Sequence, residues 1–173
     1  MEIAQEQAAT SRAMARSTIN AERAWILGEL GGDAFGSMNV VESTSQTQRG
    51  RSETTNARLV LTCKNEGRTP AWIDNIYGHM EILARQSDIK GRGNRHDGQT
   101  FGVMGPLGAG KKRVRSLDLT CSGRLQEGNV LSVYVLVQYR DIFNFTRETY
   151  LAYSIFDSKN IYQQPLPERN RNT

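Results

Sequence analysis

The clearest periodicity lies at residues 130–139. Leu131, Val133, Val135, Val137 and Tyr139 share one face of an extended chain, while Val130, Tyr134 and Leu136 partly fill the other. Apolar side chains on both faces predict a strand in the interior of a sheet. Asp141, Ile142, Phe143 and Asn144 then predict a hairpin onto a strand at 145–156, with Phe145, Leu151, Tyr153 and Ile155 continuing the core. Residues 112–121 alternate more simply, with Leu117, Leu119 and Cys121 on one face and Ser116, Asp118 and Thr120 on the other.

Weaker patterns fill in the rest. Strands are predicted near 23–27, at 58–64, at 71–83 and, briefly, at 100–104. Between the second and third of these lies Asn65-Glu66-Gly67-Arg68-Thr69-Pro70-Ala71. Asn65 and Gly67 supply turn chemistry, and Pro70, with no N–H to donate, separates the two ladders. The polar stretch 33–57 reads as a long loop with one short edge strand near 38–41, residues 84–100 as a second loop, and 105–110 as a glycine-rich turn. His79 is phased with Ile73, Tyr77 and Leu83. Residues 1–22 contain no Gly or Pro and are rich in Ala, Glu, Gln and Arg, which predicts a helix whose apolar stripe is weak. The tail 158–173 is polar enough to be disordered. The expected architecture is therefore all-β, an antiparallel immunoglobulin-like β-sandwich of six to eight strands over residues 23–157, preceded by an N-terminal α-helix.

At 173 residues the chain is long enough to bury a core without metal or disulfide support. Its mean hydropathy of −0.55 assigns part of it to polar surface. Cys63 and Cys121 are both in phase with inward apolar positions, so buried free thiols are expected. The alternative, a disulfide between facing sheets, requires an oxidising compartment and Cα atoms within roughly 7 Å. No apolar run approaches a membrane span, and no signal-peptide h-region follows Met1.

The net charge of +4 is unevenly placed. Residues 85–115 carry eight Lys/Arg against two Asp, a surplus larger than that of the whole chain. Lys90, Arg92, Arg95, Lys111, Lys112, Arg113 and Arg115 are the candidate anion-binding residues, for nucleic acid or acidic lipid headgroups. Only Phe101 accompanies them as an aromatic, so base stacking is not indicated and nucleic acid is the less favoured ligand.

Catalytic signatures are weak. Gly105-Pro-Leu-Gly-Ala-Gly110-Lys111 begins like a phosphate-binding loop, but Lys112 stands where Ser/Thr would hold magnesium, and a strand pattern follows where a helix is needed. His79 and His96 have no ligand partner at metal spacing, and no G-x-S-x-G elbow occurs. No enzyme, cofactor or metal is expected.

Three landmarks occur together: Glu22-Arg23-Ala24-Trp25-Ile26, Asn65-Glu66-Gly67-Arg68-Thr69-Pro70-Ala71, and Tyr139-Arg140-Asp141-Ile142-Phe143-Asn144. In order and spacing they resemble a family of uncharacterised small bacterial membrane-anchored proteins with one or two N-terminal transmembrane helices. The resemblance implies a helical juxtamembrane stalk, here residues 1–22, leading into an immunoglobulin-like sandwich. It carries no catalytic residue across. It implies a membrane setting, from which this chain departs by lacking the transmembrane part: either it is a piece of a longer, anchored protein or this member is soluble. The expected function is a non-catalytic protein-interaction or structural module with an unknown protein partner, close to a membrane where an upstream anchor exists.

Overall fold

The structure is a computed structural model that describes residues 2–31, 39–47, 50–84, 98–155 and 161–163. One helix, α1 (Glu2–Glu22), precedes ten strands: β1 (Ile26–Leu30), β2 (Asn39–Thr47), β3 (Gly50–Asn65), β4 (Ala71–Leu83), β5 (Gln99–Thr100), β6 (Gly105–Leu107), β7 (Lys112–Ser122), β8 (Val130–Asp141), β9 (Thr146–Ile155) and β10 (Ile161–Gln163). Every strand pairing is antiparallel. The fold is all-β, as expected, with more strands than the six to eight predicted.

In the first sheet β3 is the spine. β7 pairs along one side of it; β1 and β2 share the other, β1 beside Leu61–Asn65 and β2 beside residues 50–58. In the second sheet the order runs β10-β9-β8-β4, with β5 and β6 on the outer side of β4. The sheets face each other, β4 against β7 and β1 against β9. One apolar core lies between them, drawn from Leu59, Leu61, Leu117 and Leu119 on one side and Ile73, Ile76, Val133, Val137 and Leu151 on the other. The approach is close: a β-carbon on Gly78 of β4 would lie 2.7 Å from Leu119 of β7.

β8 is the interior strand its sequence predicts, buried almost end to end between β4 and β9. The 33–57 loop is not observed as such. Residues 39–47 and 50–65 instead form the long antiparallel pair β2–β3. The reason is visible on β3, where Thr55 and Ala57 continue the inward face of Leu59, Leu61 and Cys63. Thr55 tolerates full burial because its hydroxyl donates to the carbonyl of Gly123 at 2.8 Å. A threonine with a satisfied hydroxyl fills a core position that hydropathy alone assigns to solvent.

Three further expectations are corrected. Gly105-Pro106-Leu107, predicted as turn, is the short strand β6 against Ala71–Ile73; Pro106 is accommodated there because β6 pairs on one side only. Ile161–Gln163, predicted within a disordered tail, pairs with β9 as β10, which extends the sheet by backbone bonds that need no apolar side chains. Residues 164–173 lie outside the described residues. Finally, a β-bulge between Ile73 and Asn75 shifts the register of β4 on β8. After it the buried positions are Ile76, Gly78 and Met80, so His79 points away from the core and stacks on Tyr134, ring centroids 6.4 Å apart.

Cys63 and Cys121 are free. Both lie in the first sheet, Cys63 on β3 and Cys121 opposite Thr55 of the same strand. Eight residues of strand, about 26 Å, separate them. That distance removes the disulfide between facing sheets, which needed one cysteine on each.

Candidate interaction surface

One end of the domain gathers the start of β1, the end of β3, the starts of β4 and β7, β6, and the β8–β9 hairpin. Two buried polar residues hold it together.

The first is Asn65, which is wholly buried. Its Nδ2 donates to the carbonyls of Thr69 at 2.8 Å and Leu107 at 3.0 Å. Its Oδ1 accepts from the amides of Gly67 at 3.0 Å and Trp25 at 3.3 Å. Its backbone N–H donates to Lys111 and its carbonyl accepts from Gly110. One side chain thus ties the entry to β1, the 65–71 turn, β6 and the 108–111 turn, with every amide donor and acceptor used. Gly67 sits within this knot, where a β-carbon would meet Ala24 and Trp25 at 2.6 Å and would overlap the Arg23 carbonyl.

The second is Asp141, 2% exposed. Its Oδ1 accepts from the amides of Phe143 at 2.9 Å and Phe145 at 3.0 Å, shaping the hairpin as an Asx turn. Its Oδ2 accepts from Arg147 Nε at 3.3 Å, a buried ion pair. Asn144 takes the left-handed conformation, φ 62°, that the tight turn needs. Outside, Arg140 clasps Asp74 through Nε and Nη2 at 2.6 and 2.9 Å and reaches Asn144 Oδ1 at 3.1 Å. That bidentate contact raises the Arg140 pKa. Arg23 lies over the Trp25 ring at 4.0 Å, and its pKa is lowered by burial first and then by the like charge of Arg147.

The hairpin so shaped turns its apolar side chains outward. Ile142, Phe143 and Phe145 are 45%, 38% and 55% exposed. Phe145 was expected in the core; the Asx turn places it at the rim, with Arg147 5.9 Å from its ring. Trp72, paired with Arg140, is 40% exposed, and Val103, Val114 and Leu27 are more than half exposed. Among the described residues, every exposed large apolar side chain except Met14 of α1 lies at this end of the domain. Hydropathy patterning does not reveal this, because each residue is individually in or next to a strand; the topology collects them.

The basic residues divide. Lys90, Arg92 and Arg95 lie outside the described residues. The chain leaves β4 for that segment at Leu83, about 40 Å along the strand from Ala71. Lys111, Lys112, Arg113 and Arg115 lie at the apolar end, beside Asn65 and Lys64. Alternation sends them to two faces. Lys112 is outward beside Lys64, whereas Arg113 and Arg115 fall opposite Cys63 and Leu61 and donate to the carbonyls of Met104 and Val103. The G-x-x-x-x-G-K segment ends in β6 and β7, strands on both sides, with no helix N-terminus for a phosphate. Among the described residues, no group of three or more His, Cys, Asp or Glu could hold a metal, and no helix is long and apolar enough to cross a membrane.

No protein-family model matches this sequence, and no curated protein does. Among solved structures the chain is similar to the ApaA protein from Bordetella pertussis, at 12% identity, covering 84% of this chain and 96% of that one, with a TM-score of 0.42.

Proposed function

We propose that this protein is a non-catalytic interaction module: an immunoglobulin-like β-sandwich, carried on α1 as a juxtamembrane stalk, that works through its apolar end. The observation that supports the reading most is the gathering of Trp72, Ile142, Phe143 and Phe145, with Leu27, Val103 and Val114, at one end of the domain. Exposed apolar side chains gathered at one end of a domain mark a place where something binds. Asn65 and Asp141 spend their acceptors on backbone amides, and Asp74 is held by Arg140. None of them is left to move protons or attack a substrate.

α1 joins the domain at this same end, where Arg23 and Trp25 pack on the 65–67 turn. Its described side chains from Gln5 to Ala15 are all exposed, as suits a connector rather than a core helix.

Site-specific photo-crosslinking in cells tests the reading. A benzophenone amino acid at Phe143 is expected to form adducts, whereas the same group at Gln126, on the β7–β8 connection at the opposite end, is expected to form few. Equal yields from both positions would remove the apolar end as the working surface.

A further inference from the structure

We propose that the apolar end of the domain docks onto the surface of an anionic lipid bilayer. This deepens the interaction-module reading and rests on it, since it names the partner of the same surface.

Three features on that end point to lipid. First, the exposed apolar groups come from separate elements of both sheets: Leu27 on β1, Val114 on β7, Trp72 on β4, and Ile142, Phe143 and Phe145 on the hairpin. Leu27 and Val114 face outward from the first sheet, and Trp72 faces outward from the second, where the hairpin also lies. A broad, deformable surface suits such an array, where a peptide would need a groove. Second, the aromatic ones are Trp72, Phe143 and Phe145, side chains that shallow insertion at the headgroup boundary rewards. Third, the charge around them is positive once pairs are taken out. Glu66, Asp74 and Asp141 are matched by Lys64, Arg140 and Arg147, which leaves Glu22, Glu29 and Glu148 against Arg23, Arg68 and the basic run. Lys111 and Lys112 stand in that run, which has no carboxylate, while Arg113 and Arg115 turn to the other face onto the carbonyls of Met104 and Val103. Each basic residue brought to an anionic leaflet strengthens binding roughly fivefold. Lys111 and Lys112, separate in sequence from the apolar hairpin, lie at the same end of the domain as it does.

The geometry also constrains α1. At 21 residues the helix is about 31 Å long, and standing upright it would hold this end that far from the bilayer. Docking therefore requires α1 to lie along the surface.

Co-sedimentation of the full chain with phosphatidylcholine vesicles, with and without one third phosphatidylserine, tests the proposal. Binding to the anionic vesicles is expected to exceed binding to neutral ones at least tenfold, in keeping with two or more basic contacts, and to weaken as salt rises from about 0.1 to 0.5 M. Phe143→Ser/Phe145→Ser and Lys111→Ala/Lys112→Ala are each expected to lose about tenfold or more with an unchanged thermal midpoint. No binding to either vesicle, equal binding to both, or full binding by a folded double variant would overturn it. Should a variant unfold, shielding of Trp72 from iodide quenching in the wild-type chain decides: shielding on anionic vesicles supports docking and its absence overturns it. If the Phe143 cross-links are to protein while vesicles do not bind, the lipid assignment fails and the interaction module stands.

Discussion

Asn65 Nδ2 donates to the carbonyl of Leu107 at 3.0 Å, across 42 positions of sequence. That bond fastens β6 to the end of β3, and so one sheet's outermost strand to the other sheet's spine. Replacing Asn65 with Ala strands two carbonyls and two amides in a buried site. The expected cost is about 2–4 kcal/mol, since each buried group left unpaired carries its own desolvation penalty. Asn65→Asp is expected to be at least as damaging, because a carboxylate oxygen would then face the Thr69 and Leu107 carbonyls. Urea unfolding of the two variants measures both; a loss below about 1 kcal/mol, the worth of a single ordinary hydrogen bond, would disprove the knot.

Gly67 and Gly110 separate two reasons for glycine in neighbouring turns. At Gly67 the obstacle is backbone atoms of 23–25, so Gly67→Ala must displace the entry to β1, and a loss of about 2–3 kcal/mol is expected. At Gly110 the space is open and only the left-handed φ of 67° opposes a side chain, so Gly110→Ala is expected to lose about 1 kcal/mol. Thermal midpoints of the pair give the ordering directly.

Asp141 carries both the Asx turn and the buried partner of Arg147. Asp141→Ala is expected to cost about 3–5 kcal/mol, as for other buried ion pairs broken from one side. Asp141→Asn keeps an acceptor for the Phe143 and Phe145 amides and loses only the charge, so a smaller loss is expected. Amide hydrogen exchange at 143–145 tells the two effects apart: fast exchange in the Ala variant, retained protection in the Asn variant.

Burial pushes the Cys63 thiol up to about 12. An unfolded thiol ionises near 8.5, so from about pH 8.5 to 12 the unfolded chain has lost a proton that the folded chain keeps. Folding stability is then fully present below pH 8.5 and falls as pH rises, by at most about 1.4 kcal/mol per pH unit from this group. The tyrosines 134, 139 and 153, raised chiefly by burial, act in the same direction at higher pH. Cys63→Ala is expected to flatten the decline between pH 9 and 10, seen by denaturant titration at each pH. At pH 8 a thiol reagent is expected to modify half-buried Cys121 before buried Cys63. An oxidised monomer with the two linked would contradict their placement on one sheet.

Strands with period-two apolar faces were legible in the chain itself. β8 announces its interior place through apolar residues on both faces, and the Asn65–Ala71 turn announces the break between β3 and β4 through Asn, Gly and Pro chemistry. Local pattern suffices there because alternation and turn preference are properties of a few neighbouring residues. Tertiary structure alone decided the rest. Thr55 is core only because Gly123, distant in sequence, supplies an acceptor; His79 changes face only because a bulge slips β4 by one residue on β8. The apolar end exists only because antiparallel pairing brings Leu27, Trp72, Val114 and the 142–145 hairpin to one end of two sheets. Sequence separation hides such a surface, since what makes it a surface is the register between strands.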